Sequence, residues 1–229
     1  MSKSVAVAVC ALLFAAPAYA DITIGLMGPI TGQNATLGEQ MQCGAEAAVE
    51  DINAAGGVLG QKVKLSIKDD ACDPRQAVAA ANQLVGEKVA GVVGGMCSGA
   101  AMPASQVYND ENMVFISPSA TNPLLTEQKF DNVFRVCGRD DQQGAVIADY
   151  IAEHHAKDKI ALVHDRSSYG KGIADEVQKV LGQKAIKEKM YESIAVGERD
   201  YGALISRLKQ ENIDVLFFGG YHTEAGLIT

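Results

Sequence analysis

Val89-Ala90-Gly91-Val92-Val93-Gly94-Gly95-Met96-Cys97-Ser98, followed by Met113-Val114-Phe115-Ile116-Ser117-Pro118-Ser119-Ala120-Thr121, decides how this chain folds. Each stretch is a short apolar run that gives way to glycine, serine or threonine. A segment with helical spacing separates the two. Short apolar runs alternating with helical segments are the mark of βαβ units and a parallel sheet. Both polar loops then fall at the carboxyl ends of strands, where open α/β sheets bind ligands. Neither loop carries an obvious base or metal ligand, so the pair reads as a cradle that holds a small molecule without changing it.

The same rhythm extends outward from this pair. On the amino-terminal side, Ile22 to Met27 reads as a strand, and Met41, Ala45, Ala48, Val49 and Ile52 form one helix face ending at Ala54-Ala55-Gly56-Gly57. Val63, Leu65 and Ile67 alternate with Lys and Ser, which marks a strand with a wetter face near a sheet edge. Pro74 opens a helix that turns Val78, Ala81, Leu84 and Val85 inward. On the carboxyl side, Val133 to Val136 is extended, and a helix follows Gly138-Arg139-Asp140-Asp141 to about Lys157.

The plan then restarts. Strands are expected at Ile160 to His164, Ile186 to Tyr191 and Val215 to Phe218, with helices between them. The predicted fold class is therefore α/β, with two Rossmann-like lobes on parallel sheets, residues 21–139 and 140–229. The chain stops at Thr229 inside what should be a helix, so the second lobe is expected to be incomplete and the fragment to be poorly stable.

Residues 1–20 have the parts of a cleavable secretory signal: Lys3, an apolar core from Val5 to Ala16, and Ala18-Tyr19-Ala20 before Asp21. That implies export, with Cys10 leaving alongside the signal. Loss of Lys3 takes one positive charge from a formal net charge of −8, giving −9. Such a surface argues against nucleic acid and anionic membranes as partners. Four cysteines stay behind, Cys43, Cys72, Cys97 and Cys137. An even set in an oxidising compartment suggests disulfides, with three pairings open.

Met96, Cys97 and Ser98 stand where a strand hands over to a helix, a place whose free amides favour an anion. Ser98 is read either as a ligand donor or as the cap of its own helix. Ser119, Ala120 and Thr121 add backbone carbonyls and a hydroxyl suited to an ammonium or a carboxylate. In the second lobe, Tyr169 and Tyr221 follow strands at matching positions and are expected to close over the ligand.

Catalytic alternatives find less support. His154 and His155 are adjacent and cannot share a helix face. His164-Asp165 lacks a nucleophile elbow. Asp69-Asp70 and Asp140-Asp141 read as solvated turn acids, and Glu224 as a residue of its own helix start. Gly28, Gly32 and Gly38 miss the dinucleotide spacing. No cofactor or metal is expected.

Taken together, Asp51-Ile52-Asn53-Ala54-Ala55-Gly56-Gly57, Asp69-Asp70-Ala71-Cys72-Asp73-Pro74, Pro118-Ser119-Ala120-Thr121-Asn122-Pro123, Val163-His164-Asp165 with Tyr169-Gly170, and Gly219-Gly220-Tyr221-His222 resemble the leucine/isoleucine/valine-binding proteins. Phe134-Arg135 and Gly138 to Gly144 extend the likeness across the mature chain. The resemblance implies a type I periplasmic solute-binding protein, monomeric, that captures a branched-chain or related amino acid and delivers it to the permease subunits of an ABC transporter. A sensor domain of the same fold is the alternative.

It further implies that Ser98 and Thr121 hold the ligand's α-carboxylate, and that the Ser119 carbonyl and Thr121 hydroxyl take its α-ammonium. Cys97 and Ala120 belong to the same binding loops. Tyr169 and Tyr221 match the closing contacts, and Cys72 is expected to pair with Cys97. For Cys43 and Cys137 the family's usual bridge offers no partner, so a second disulfide and two free thiols both stay open. Leu37 replaces an aromatic that often walls the side-chain pocket. The family's acidic partner for the ammonium would lie beyond Thr229, so weak or absent binding is expected of these residues alone.

Overall fold

The computed structural model describes residues 21–229, so the expected signal lies outside the described residues. From the amino terminus, β1 (Ile22–Gly28), α1 (Ala35–Ala54), β2 (Val63–Asp69), α2 (Pro74–Gly86), β3 (Val92–Gly94), α3 (Ser98–Asp110), β4 (Phe115–Ser117), α4 (Leu124–Glu127) and β5 (Val133–Arg135) build one sheet with its helices. It runs β2-β1-β3-β4-β5, all parallel. A second unit holds α5 (Asp140–His154), β6 (Ile160–His164), α6 (Ser168–Gln183), β7 (Met190–Ser193), α7 (Gly202–Gln210), β8 (Val215–Gly219) and α8 (His222–Ile228). Its parallel sheet has three strands, in the order β7-β6-β8.

Local chemistry explains the boundaries. Asp73 caps α2, accepting from the amides of Arg75 (2.9 Å) and Gln76 (2.8 Å), while Pro74 takes the first helical position, where no N–H is needed. The end of α1 is set by Gly57 at φ +80°, whose amide donates to the Ile52 carbonyl at 2.9 Å. The strand edge expected near Val63 is found: β2 flanks the sheet on one side.

One face of the larger sheet is tightly packed. Met27, Val92 and Phe115 point to α2 and α3, which meet over Ala77, Ala81, Leu84, Ala101, Ala104 and Tyr108, all buried. Small side chains let the two helices approach each other and the sheet closely. The opposite face carries the row Leu26, Val93, Ile116 and Phe134. Here α1 sits loosely, with Gly38 its one buried residue. An apolar cavity of about 710 Å³ lies between Ile24, Leu65 and Val93 of the strands and Ala45 and Val49 of the helix. In the second unit β6 is buried along its whole length, between α5 and α6 on one side and Tyr201, Leu204 and Ile228 on the other.

Two expectations need correction, and the open question of the remaining cysteines is answered. The second strand of the second unit begins at Met190 rather than Ile186 because its parallel register on β6 starts at Ala161, and Ile186 packs against the Val177 and Leu181 core instead. The helix after Arg139 ends at His154, where His155 leaves helical geometry and its ring joins Asp158. Cys43 and Cys137 are free: Cys43 is exposed on α1, which packs on β1 and β2, whereas Cys137 follows β5 on the far edge of the sheet. Two thiols at opposite edges cannot meet.

Candidate functional site

The cradle loops do lie side by side, and three hydrogen bonds staple them together. Ser117 Oγ donates to the Gly95 carbonyl (3.0 Å), Ser119 Oγ reaches the Met96 carbonyl (3.5 Å), and the Asn122 amide donates to Ser98 Oγ (3.2 Å). Gly94 and Gly95, both at positive φ, turn the chain from β3 into this loop, and the Gly95 amide donates to the Met27 carbonyl at 2.8 Å. Cys97 is the N-cap residue of α3 and is bonded to Cys72, so the loop after β2 and the loop after β3 are covalently joined. That is the pairing the resemblance implied. Ser98 is the first helical residue, not the cap, and its hydroxyl serves the neighbouring loop.

Behind the second loop stands Arg135 at the end of β5. Its guanidinium donates to the carbonyls of Ala120 (3.1 Å) and Asn122 (2.8 Å) and to Thr126 Oγ1 (2.8 Å). A planar fork holding two carbonyls of one loop leaves that loop little freedom. The Asn122 side chain in turn donates to the Ser168 carbonyl at 2.7 Å, one residue before Tyr169, and so joins the two sheets' loops.

On the other side, Asp165 Oδ1 accepts from the Ser167 amide (2.8 Å), and Ser167 Oγ caps α6 by accepting from Gly170 (2.8 Å). Asp165 thus organises its own loop. Gly170 packs directly on Gly219, where a Cβ on either would collide with the other's carbonyl. The close approach brings Tyr169 and Tyr221 together, their ring centroids 5.4 Å apart and tilted by 44°.

Between these walls opens a cleft of about 520 Å³. Met96, Ser98, Ser119 and Thr121 line one side, Tyr169, Gly220, Tyr221 and His222 the other, and Thr36 and Leu37 of α1 close the end. Five of the nominated residues, Ser98, Ser119, Thr121, Tyr169 and Tyr221, therefore share one cavity. Cys97 and Ala120 do not line it: Cys97 is 3% exposed in its disulfide, and Ala120 is fully buried with its amide and carbonyl taken by Ser117 and Arg135. Thr36 was not singled out by the sequence reading. Its signal was position, since the loop after β1 must open on the same sheet edge as the other two.

The paired acids are not uniformly solvated. Asp69 accepts from the amides of Ile30 and Thr31 and holds the loop before α1, but Asp70 and Asp140 are fully buried. Burial pushes Asp70 up to about 6, against the pull of the Cys72 amide that donates to it at 2.9 Å. An unfolded Asp70 ionises near 3.8 while the folded one keeps its proton to about 6. Stability from this group is therefore complete below pH 4 and falls as pH rises to 7, by roughly 2–3 kcal/mol. Asp70→Asn should flatten that fall, seen as a smaller difference between melting temperatures at pH 4.5 and 7.5; an unchanged difference would exclude Asp70 as its source.

Burial also raises both cleft tyrosines, with the carboxylates of Asp140 and Asp165 adding to the effect. Tyr169 and Tyr221 thus stay neutral hydroxyl donors at physiological pH. Glu224, expected to serve its own helix start, stands in the first turn of α8 but is buried and accepts from the Gly197 amide at 3.2 Å. His164 turns away from the cleft, its Nδ1 accepting from the Arg166 amide (3.0 Å). Among the described residues no cluster of three potential metal ligands occurs, and no helix is long and apolar enough to cross a membrane.

This arrangement is found in known proteins. Leu/Ile/Val-binding protein homolog 1 of Brucella melitensis is 48% identical over 217 residues, 95% of this chain and 58% of that protein. An amino acid binding protein of Pseudomonas aeruginosa is 48% identical over 210 residues, 91% of this chain and 56% of the relative. The chain thus spans less than two thirds of the length of these relatives.

Among solved structures, the branched-chain amino acid transporter substrate binding protein LivJ from Streptococcus pneumoniae, in complex with isoleucine, superposes with a TM-score of 0.83 at 33% identity, covering 91% of this chain and 59% of that one. The leucine binding protein LivK from Thermotoga maritima gives 0.81 at 26% identity, over 90% and 58%. The sequence profile described as periplasmic binding protein matches residues 21–228, nearly all of the described structure. With two parallel α/β units facing each other across a cleft, the chain belongs to the periplasmic binding protein family.

Proposed function

We propose that this chain forms the binding cleft of an exported solute-binding protein that captures an aliphatic amino acid and passes it unchanged to the permease of an ABC transporter. The observation that carries the reading is the composition of the cleft between the two units. Hydroxyls of Ser98, Ser119 and Thr121 and the start of α3 face a pair of neutral tyrosines, while Leu37 and Met96 supply the apolar wall. The polar side suits the two charged groups of a zwitterion, and Leu37 with Met96 suits an aliphatic side chain. Export by residues 1–20, a periplasmic location, a monomeric state and two lobes divided near Arg139 complete the proposal. Relatives named for leucine, isoleucine, valine and amino acid binding support it.

The test is calorimetry on the intact protein with leucine, isoleucine, valine and alanine, followed by recovery and mass analysis of the ligand. Binding of at least one aliphatic amino acid, recovered unaltered, is expected. Ser98→Ala and Thr121→Ala should each weaken it by about 10- to 100-fold, the loss of a hydrogen bond to a charged group. Failure of all four amino acids to bind, or conversion of the ligand, would refute the reading.

A further inference from the structure

Thr121 has one hydroxyl proton and two lone pairs, so it can face a zwitterion as donor or as acceptor, and what sits behind it determines which. Behind it is Asp140. The Asp140 amide donates to the Thr121 carbonyl at 2.9 Å, which draws the first residue of α5 against the loop. Its carboxylate lies alongside the Thr121 hydroxyl, and Tyr169 and Tyr221 are both within its electrostatic reach. The residue is fully buried, yet neither carboxylate oxygen has a hydrogen bond of ordinary geometry.

An acid at a helix start is commonplace, because it complements the helix dipole, but such acids are normally wet. A buried carboxylate with both oxygens unpartnered is costly and calls for a local reason. Burial holds the Asp140 carboxyl above the usual carboxylate range; the Thr121 hydroxyl and the Arg135 guanidinium pull it back down, but Arg135 is occupied by the Ala120 and Asn122 carbonyls, and Asp141 and Glu176 add negative charge. The remaining donor beside Asp140 is the Thr121 hydroxyl.

Resting on the reading of the cleft as an amino-acid site, we infer that Asp140 is a positioning residue that takes the Thr121 hydroxyl proton and so presents the Thr121 oxygen as an acceptor to the ligand's ammonium group. The negative charge of Asp140, one residue layer behind, stabilises the same cation through that relay. The ligand's carboxylate is then left to Ser98 and the start of α3. Asp140 touches no ligand atom itself.

Asp140→Asn keeps the shape and reverses the polarity: an amide N–H beside Thr121 can donate to its oxygen and turn the hydroxyl proton towards the ligand. Calorimetry on the intact protein would compare L-leucine with 4-methylpentanoate, which keeps the carboxylate and side chain but lacks the ammonium. Asp140→Asn should weaken L-leucine by about 10- to 100-fold and leave 4-methylpentanoate, measured directly or by displacement, within about twofold. In the Thr121→Val background, Asp140→Asn should have little further effect on L-leucine, whereas in Thr121→Ser, which keeps the hydroxyl, its effect should persist. Melting curves of each variant establish that it is folded.

Equal losses for both ligands, or full additivity with Thr121→Val, would assign Asp140 a structural role and overturn the inference. So would unchanged L-leucine affinity in Asp140→Asn. If the wild-type protein binds leucine normally, those results leave the functional reading standing; if it binds no amino acid, the functional reading itself fails and takes this inference with it.

Discussion

Replacing Cys72 and Cys97 together by alanine should destabilise the larger unit by about 3.5 kcal/mol, the loop entropy released when a cross-link spanning 25 residues is removed. For a protein of this size the melting temperature should fall by roughly 7–14 °C. The effect should reach the cleft as well. Cys97 is buried and immediately precedes Ser98, so the bond fixes the start of α3 against the loop that follows β2. Scanning calorimetry with and without a reductant checks this, since reduction of the wild type should reproduce the double variant. Coincident melts of oxidised and reduced protein would show that the native packing alone holds the loop.

Gly94→Ala is expected to cost on the order of 3 kcal/mol or more. Gly94 has φ +145°, a conformation that side-chain-bearing residues rarely adopt, and a Cβ there would overlap the Met27 carbonyl. The clash is with backbone in the centre of the sheet, so no rotamer change relieves it. The turn from β3 to the cradle would have to shift, and with it the Ser117 bond to Gly95 and the placement of Ser98. Gly44→Ala on α1 is the control: nothing lies within 4 Å of its added methyl group, and a mid-helix glycine replaced by alanine should gain roughly 0.5–1 kcal/mol. Denaturant unfolding of the two variants should therefore move in opposite directions. Similar behaviour of both would mean that the Gly94 turn relaxes without strain.

Much of this architecture was legible in the sequence because strands and helices are announced locally. Ile160 to Val163 is an unbroken apolar run, and the strand it forms with His164 is buried from end to end, as a central parallel strand must be. Asp73-Pro74 and Gly56-Gly57 mark where helices begin and end through backbone chemistry that needs no tertiary partner. The loops at Met96 to Ser98 and Ser119 to Thr121 were identifiable as neighbours because parallel strands place their carboxyl ends on one edge. The strand at Ile186 was misplaced by four residues, since its start is set by pairing with β6, a partner far away in sequence.

Acid burial was the larger failure. Asp69 and Asp70 are adjacent and chemically alike, yet the first holds a surface loop and the second is sealed beneath the disulfide-bearing turn. The same holds for Asp141, paired with the half-buried Arg139, and Asp140, buried against Thr121. A one-residue step reverses the direction of the side chain at the end of a strand and turns it by about 100° at the start of a helix, and composition around it does not say which direction is covered.

What the sequence determined by itself is the order of strands and helices, their caps, and the two polar loops that line the cleft. Those properties follow from hydrophobic period and backbone preference over a few residues. Only the tertiary structure decided the strand orders β2-β1-β3-β4-β5 and β7-β6-β8, the separation of Cys43 from Cys137, and the meeting of Tyr169 with Tyr221. It alone placed Asp140 behind Thr121. Each of these depends on which distant segments pack together, a free energy that no single stretch of chain contains.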